Sequence, residues 1–465
     1  MNPRILLILT EFPPAIGGMQ THANLLSRHL HAGGADVRVF TYRPEAPEAA
    51  AAQVDATFPF PVHRTLSRIS YFYNLSHLRE AVARHRPDFI YSSTVFFGIL
   101  ERLTGVPTVC RSVGNDVLRP WIAWPFPLGA TVAAHLVFER RLYQFFKKLD
   151  KPEWLEVLFR ERRRQLMRTA ASCAGTILAN SHFTRKLLLE IGVPPERVRV
   201  VVGGVDAHFF ARPSPVGGPS PVGGPSPVGG PSPVGGPSAD QSVHVVTAEV
   251  FRLRQELGLP PDRTLLMTAC RLVDKKGLDF LLDWFARRDP AARGWHLAVV
   301  GTGKRLGRLR NQARRLGVDG HVTFVGGVRY EAMPAYYWAA DLFVLASTVF
   351  RDPVTGVCDA ETMGRVLCEA NAAGLPVIAS ASGGIPSVIS DGANGLLFPE
   401  NDGEALSACV DRLLEDPALR DRLVAEGLER ARTRFDWSHI LSVHREAFER
   451  QRPAPPMSEP VAAGP

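Results

Sequence analysis

Short apolar runs alternate with amphipathic stretches twice along this chain, and that rhythm limits its fold more than any other feature. Residues 5–9, 36–40 and 89–92 read as buried strands, with helical patterns over 21–32 and 77–85 between them. The rhythm resumes with apolar runs at 265–270, 296–300, 322–325, 342–346 and 377–379 and helical patterns over 277–288 and 306–316. Strands separated by helices pair in parallel, because the chain must cross back between them. The expectation is an α/β protein built from two doubly wound, Rossmann-like halves. At 465 residues, 45% of them hydrophobic, the chain is long enough for two cores.

Between the halves, over 213–238, the hexapeptide Pro-Ser-Pro-Val-Gly-Gly is repeated four times. Proline lacks the ladder donor and glycine adds backbone entropy, so the tract reads as a disordered insertion with polyproline II character. A Pro-rich docking ligand is the competing reading, and the basic or aromatic anchors it would need are absent from the tract. The tract follows Gly204, Val205 and Asp206, so it is expected to interrupt the second half just after its first strand. The hinge is expected near 192–196, giving domains over 1–192 and 197–430. Residues 437–450 read as a last amphipathic helix, and 451–465, rich in Pro and Ala, as a disordered tail.

Lys and Arg exceed Asp and Glu by 54 to 46, which favours anionic partners without choosing among them. No aromatic and basic nucleic-acid module is present, so nucleic acid is set aside. Six cysteines without a C-x-x-C pair suggest neither a zinc site nor a disulfide framework. With an N-terminal apolar run too short for a signal peptide, a cytoplasmic location is expected. Residues 121–138 carry no formal charge over a length near that of a membrane span. Pro125, Pro127 and Gly129 inside it favour a surface loop or an interfacial segment instead.

The most specific local pattern is Glu361-Thr-Met-Gly-Arg-Val-Leu-Cys-Glu369. A helix entered through Gly364 would offer the free N–H groups of Gly364, Arg365 and Val366 to a pyrophosphate. Glu369 would then lie about one turn further, where it can accept from both ribose hydroxyls, and Glu361 in the preceding loop would face a sugar. Two solvent-facing glutamates around an ordinary helix are the plain alternative. Arg271 and Lys276 follow a strand and precede a helix, which puts two cations at the carboxyl edge of a parallel sheet, where such folds bind ligands. Negative charge growing on a departing diphosphate would be stabilised there.

In the first half, Gly17 and Gly18 follow the first strand and open a helix, so the backbone can come close to an anion. The segment is neither a Walker loop nor a complete G-x-G-x-x-G, which lowers ATPase and dinucleotide readings. Asn115 and Asp116 end one later strand and Ser181 ends the next, all on the same edge. They either line a cleft or, for Ser181, cap the following helix.

Taken in order, these motifs resemble glycosyltransferase family 4 from residue 5 to residue 450. The matching residues are Gly17-Gly18, Asn180-Ser181, Gly204-Val-Asp206, Arg271, Lys276, Gly301-Thr-Gly303, Phe324-Val-Gly326, Glu361 and Glu369, with Gly383-Gly384-Ile385-Pro386 and Asn394-Gly395-Leu396. The resemblance implies a GT-B fold, with two Rossmann-like domains facing a cleft and a crossover helix over 434–450 that completes the first. It implies a nucleotide-sugar donor in the second domain and a glycan or lipid-linked acceptor in the first. It implies retention of configuration with neither metal nor cofactor. By the same analogy Arg271 and Lys276 hold the phosphates, Glu369 the ribose and Glu361 the donor sugar, while Gly18 approaches the diphosphate from across the cleft.

Two positions depart from the family pattern. Many relatives carry a histidine where Val113 precedes Gly114, and Gly-Phe-Gly often follows the first glutamate where this chain has Thr362-Met363-Gly364. Residues 139–168 hold ten basic residues against five acidic, interleaved with aromatics. Together with 121–138 they read either as a surface for an anionic membrane, making the protein peripheral, or as helices with a solvated basic face. A sugar-nucleotide epimerase of the same fold and a catalytically inactive nucleotide-sugar-binding or membrane-associated scaffold are the rival functions.

Overall fold

The computed structural model describes residues 2–14, 18–44, 48–120, 122–127, 139, 141–144, 153–213, 247–351 and 358–451. The repeat tract, the tail beyond 451, Gly17, Trp121 and most of 128–152 lie outside these residues.

Seven strands form the first sheet: β1 Arg4–Ile8, β2 Asp36–Tyr42, β3 Val62–Leu66, β4 Phe89–Ser92, β5 Thr108–Ser112, β6 Thr176–Ala179 and β7 Val198–Val200. Their order is β3-β2-β1-β4-β5-β6-β7, parallel throughout. The second sheet contains β8 Thr264–Ala269, β9 Trp295–Val300, β10 Val322–Gly326, β11 Leu342–Leu345, β14 Val377–Ser380 and β15 Leu396–Phe398. Its order is β10-β9-β8-β11-β14-β15, again parallel. A short antiparallel pair, β12 Phe350–Arg351 and β13 Cys358–Asp359, stands apart from both. In each sheet the first strand in sequence sits inside, so the winding reverses at β1/β4 and at β8/β11. Crevices open at such points.

Alternation along the strands builds two core layers per domain. In the second, Leu266, Leu297 and Val344 pack on Leu281, Leu282 and Phe285 of the helix Leu278–Arg287. Their neighbours Met267, Phe343 and Leu345 pack on Leu367, Cys368 and Ala370 of the helix Arg365–Ala372. Burying such side chains contributes about 1.5–3 kcal/mol each, which is why these strands read as continuous apolar runs.

The domain boundary differs from expectation. Val198, Arg199 and Val200 pair with Ile177, Leu178 and Ala179, so β7 belongs to the first sheet, not the second. Gly192 and Pro194-Pro195 look like a linker but only turn the chain into a 3-10 segment, Pro195–Arg197, ahead of that strand. The crossing lies at Gly203 and Gly204, whose φ values are +121° and +100°. There the backbone passes so close to Phe435 that a Cβ on Gly203 would lie 2.6 Å from its Cα. The repeat tract thus lies ahead of the second domain's first strand, β8, not after it. The last helix, Trp437–Glu449, returns to the first domain, where Trp437, Ile440, Ala447 and Phe448 pack with Ile5, Leu7, Leu26 and Phe89.

Candidate active site

The loops after β11 and β14 meet those after β1, β5 and β6 across the domain boundary. Asn180 Nδ2 is 3.4 Å from Thr362 Oγ1, and the His182 N–H donates to Ser387 Oγ at 2.9 Å. The Arg365 guanidinium donates to the Gly18 carbonyl at 3.1 Å. A Cβ on Gly18 would lie 3.7 Å from Arg365 Cζ, an ordinary contact distance, so the approach itself does not require a glycine.

On the second-domain side the loop after β8 carries three cations. Arg271 is exposed, and its guanidinium makes no hydrogen bond or ion pair with a described residue. Lys275, which sequence reasoning passed over, is buried and donates to Asp359 Oδ1 at 2.8 Å and to the Ala360 carbonyl at 2.9 Å. Lys276 donates to the Glu361 carboxylate. Gly277 turns the chain at φ +62°, and a Cβ there would meet the Ala346 carbonyl, so the lysines are held against the end of β11.

Burial would push Glu361 up, but the Lys276 and Lys275 ammonium groups and the hydrogen bond from Lys276 outweigh it and hold this carboxyl below the usual range. Burial likewise works against the Lys276 charge, and Glu361 overcomes it, so Lys276 titrates above its ordinary value. The pair is charged on both sides at neutral pH. Gly383 and Gly384 close over it: the Gly384 N–H donates to the Glu361 carbonyl at 2.8 Å, and a Cβ on Gly383 would collide with the same oxygen.

The predicted helix is present as Arg365–Ala372, entered through Gly364 at φ +87°. Glu369 is buried on it and accepts from Arg365 Nε at 3.0 Å and from the Tyr337 hydroxyl at 2.8 Å. Arg365 thus ties Glu369 to Gly18 in the other domain. Val366 packs into the core beside it, and its carbonyl is 3.5 Å from the Tyr337 hydroxyl. Gly326 ends β10 at φ +89°, its carbonyl accepting from the Gly301 N–H at 2.7 Å, which positions the loops beside Arg271.

Of the three first-domain residues, Ser181 follows the capping alternative and Asp116 is engaged within its own domain. Ser181 is fully buried and caps the helix His182–Glu190, accepting from the Thr184 N–H at 3.1 Å. The Asp116 carboxylate accepts from Ser112 Oγ at 2.7 Å and from the Val95 N–H at 3.2 Å, and burial raises its pKa. Both side chains fasten loops of the first domain. Asn115 Oδ1 is buried without a partner. Val113 contributes its backbone carbonyl, 3.5 Å from Asn180 Nδ2.

From 121–168, Ala123 and Phe159 form a small core with Ile69, and Trp124, Leu142 and Tyr143 pack on it. Arg163 is buried and donates to the Ile122 carbonyl at 2.6 Å. Phe159 is buried, and Trp124 and Tyr143 are partly buried against this core. Among the described residues no helix is long and apolar enough to cross a membrane.

Two family models match the chain: one described as Glycosyltransferase Family 4 over residues 16–209, the other as Glycosyl transferases group 1 over 249–430. A GDP-mannose-dependent alpha-(1-6)-phosphatidylinositol monomannoside mannosyltransferase of Mycolicibacterium smegmatis is 35% identical over 206 residues, 42% of this chain and 52% of that protein. A D-inositol 3-phosphate glycosyltransferase of a Nocardioides species is 34% identical over 296 residues, 60% of this chain and 54% of that protein. The chain thus spans about half the length of the curated relatives it matches. Among solved structures, Anabaena HepE in complex with UDP superposes with a TM-score of 0.66 at 19% identity, covering 97% of this chain and all of the other, which shows the shared GT-B fold.

Proposed function

The chain belongs to the group 1 glycosyltransferases of family 4, and from that premise we propose that it transfers a sugar from a nucleoside-diphosphate sugar to a phosphate-bearing polyol or glycolipid acceptor, retaining anomeric configuration. The observation that carries this reading is the cluster of Arg271, Lys275 and Lys276 with Glu361, in a domain whose Arg365 reaches the Gly18 carbonyl across the boundary.

Breaking the bond between the sugar's anomeric carbon and its phosphate oxygen leaves both bonding electrons on the diphosphate. The exposed Arg271 guanidinium is free to pair with the phosphates, and Lys276, kept charged by Glu361, adds a fixed positive potential where that charge develops. Glu361 would face the donor sugar and Glu369 the ribose, the latter by exchanging its bond from Arg365 or Tyr337 for ribose hydroxyls. In a front-face displacement the departing phosphate takes the acceptor hydroxyl's proton, so neither metal nor cofactor is invoked. Both named relatives act on a phosphorylated inositol or its lipid, which supports a phosphate-bearing acceptor, and the first uses GDP-mannose. The proposed setting is glycolipid or cell-surface polysaccharide synthesis at the cytoplasmic face of a membrane.

A thermal-shift series against UDP-, GDP-, ADP- and dTDP-sugars tests the donor half of the proposal. A ligand at 100 times its Kd stabilises the folded chain by about 2.7 kcal/mol, enough to raise the melting temperature by degrees. Stabilisation by one donor class and its loss in Glu369→Ala are expected. Silence across the series, with and without acceptor, would favour a scaffold.

A further inference from the structure

Arg111, near the carboxyl end of β5, is 9% exposed, and its guanidinium makes no hydrogen bond or ion pair with a described residue. Burial lowers its proton affinity, and the one carboxylate acting on it, Asp116, is already engaged by Ser112 and Val95. A cation so placed is costly unless something pairs with it.

Its surroundings are aromatic and carry no free carboxylate. Tyr91 on β4, His22 on the helix Gly18–Ala32, and Trp437 and His444 on the last helix converge here, with ring centroids 4.8 Å apart for His22 and Trp437, 6.2 Å for His22 and His444, and 5.5 Å for Tyr91 and His444. The field of Arg111 reaches Tyr91, His22 and His444. The Tyr91 hydroxyl, His22 Nε2, Trp437 Nε1 and His444 Nε2 are all buried without a partner. More than nine in ten buried polar groups are normally paired, so four orphans around an unpaired guanidinium are unusual. His444 Nδ1 already lies 2.6 Å from the Ile440 carbonyl, and burial keeps that imidazole neutral, down to about pH 4. With Nδ1–H donating, His444 Nε2 carries a lone pair, so the donors that remain are the Arg111 guanidinium, the Tyr91 O–H, the Trp437 N–H and, in its Nε2–H tautomer, His22. Such an inventory suits an anion with several acceptor oxygens.

The cluster lies on the first-domain side of the cleft. Arg365 of the second domain is close enough to act on both Arg111 and His22. We propose that Arg111, with Tyr91, His22 and Trp437, binds the phosphate of the acceptor. This deepens the function proposed above and rests on it.

The test uses the full chain and inorganic phosphate, without donor or turnover. Phosphate is expected to raise the wild-type melting temperature and to leave Arg111→Met unmoved, while GDP binds both within twofold. Without phosphate, Arg111→Met is expected to melt higher than wild type, because an unpaired buried cation is gone. Tyr91→Phe keeps the ring and removes the hydroxyl, and is expected to weaken phosphate at least threefold, so the test survives if Arg111→Met fails to fold. Two further arms separate the sources of the phosphate. Arg111-dependent binding of myo-inositol 1-phosphate indicates a soluble ester, and Arg111-dependent retention on phosphatidylinositol vesicles over phosphatidylcholine ones indicates a lipid headgroup. Equal stabilisation of wild type and Arg111→Met by phosphate would overturn the proposal, as would weakened GDP binding in Arg111→Met. Because no donor is needed, failure here leaves the transferase reading intact, and failure of every donor to bind would sink that reading instead.

Discussion

Lys276 and Glu361 form a buried ion pair that joins the loop after β8 to the loop ahead of the helix Arg365–Ala372. Each group is the other's main compensation for burial. Removing one partner should therefore leave an uncompensated charge, and Lys276→Met is expected to lose about 3–5 kcal/mol in urea unfolding. Lys276→Met combined with Glu361→Leu should recover most of that stability and none of the activity. A single variant as stable as wild type would show the pair to be energetically idle.

The same pair sets an acid limit. Glu361 titrates below its ordinary value when folded, so its contribution is complete above the unfolded value of about 4.3 and is lost as pH falls through the folded one. Unfolding free energy should decline below about pH 4.3, and the gap between wild type and Glu361→Gln should narrow over that window. A gap that stays constant from pH 7 to pH 3 would rule out this linkage.

Gly114 stands where the domains touch. At φ +82°, a Cβ on it would lie 2.7 Å from Thr362 Cγ2 and from Thr184 Oγ1. Gly114→Val is expected to wedge the domains apart, raising the radius of gyration in solution scattering and lowering turnover at least about tenfold, or 1.4 kcal/mol. Unchanged scattering and unchanged turnover together would mean that the contact does not govern closure.

Glu369 holds Arg365, and Arg365 reaches Gly18. Glu369→Ala should reduce donor affinity at least about tenfold by calorimetry, through the lost ribose acceptor and the released guanidinium. Arg365→Met should reduce it less, since Glu369 keeps its bond from Tyr337. Equal effects of the two substitutions would place the binding energy on Arg365 instead.

The parallel sheets, the helix entered through Gly364 and the loop of cations after β8 were legible in the chain because each rests on local chemistry. Period-2 and period-3.6 patterns, a glycine where φ must be positive, and charges next to a strand end are all written in neighbouring residues. The boundary was not legible, because Pro194 and Pro195 have the composition of a linker, whereas β7 is assigned by its pairing with a strand some twenty residues earlier. Nor were the duties of Ser181 and Asp116, since a cap and a cleft residue look alike until the partner is known. Lys275 and Lys276 stand side by side in sequence, and only packing against Asp359 and Glu361 separates their roles. Arg111 carries no local signal at all: its isolation among Tyr91, His22, Trp437 and His444 exists only because β4, β5, the first helix and the last converge there. Sequence alone thus determined the secondary elements and the sheet edge that carries the charge. Tertiary structure decided which of those charges are paired, because pairing depends on residues brought together from distant parts of the chain.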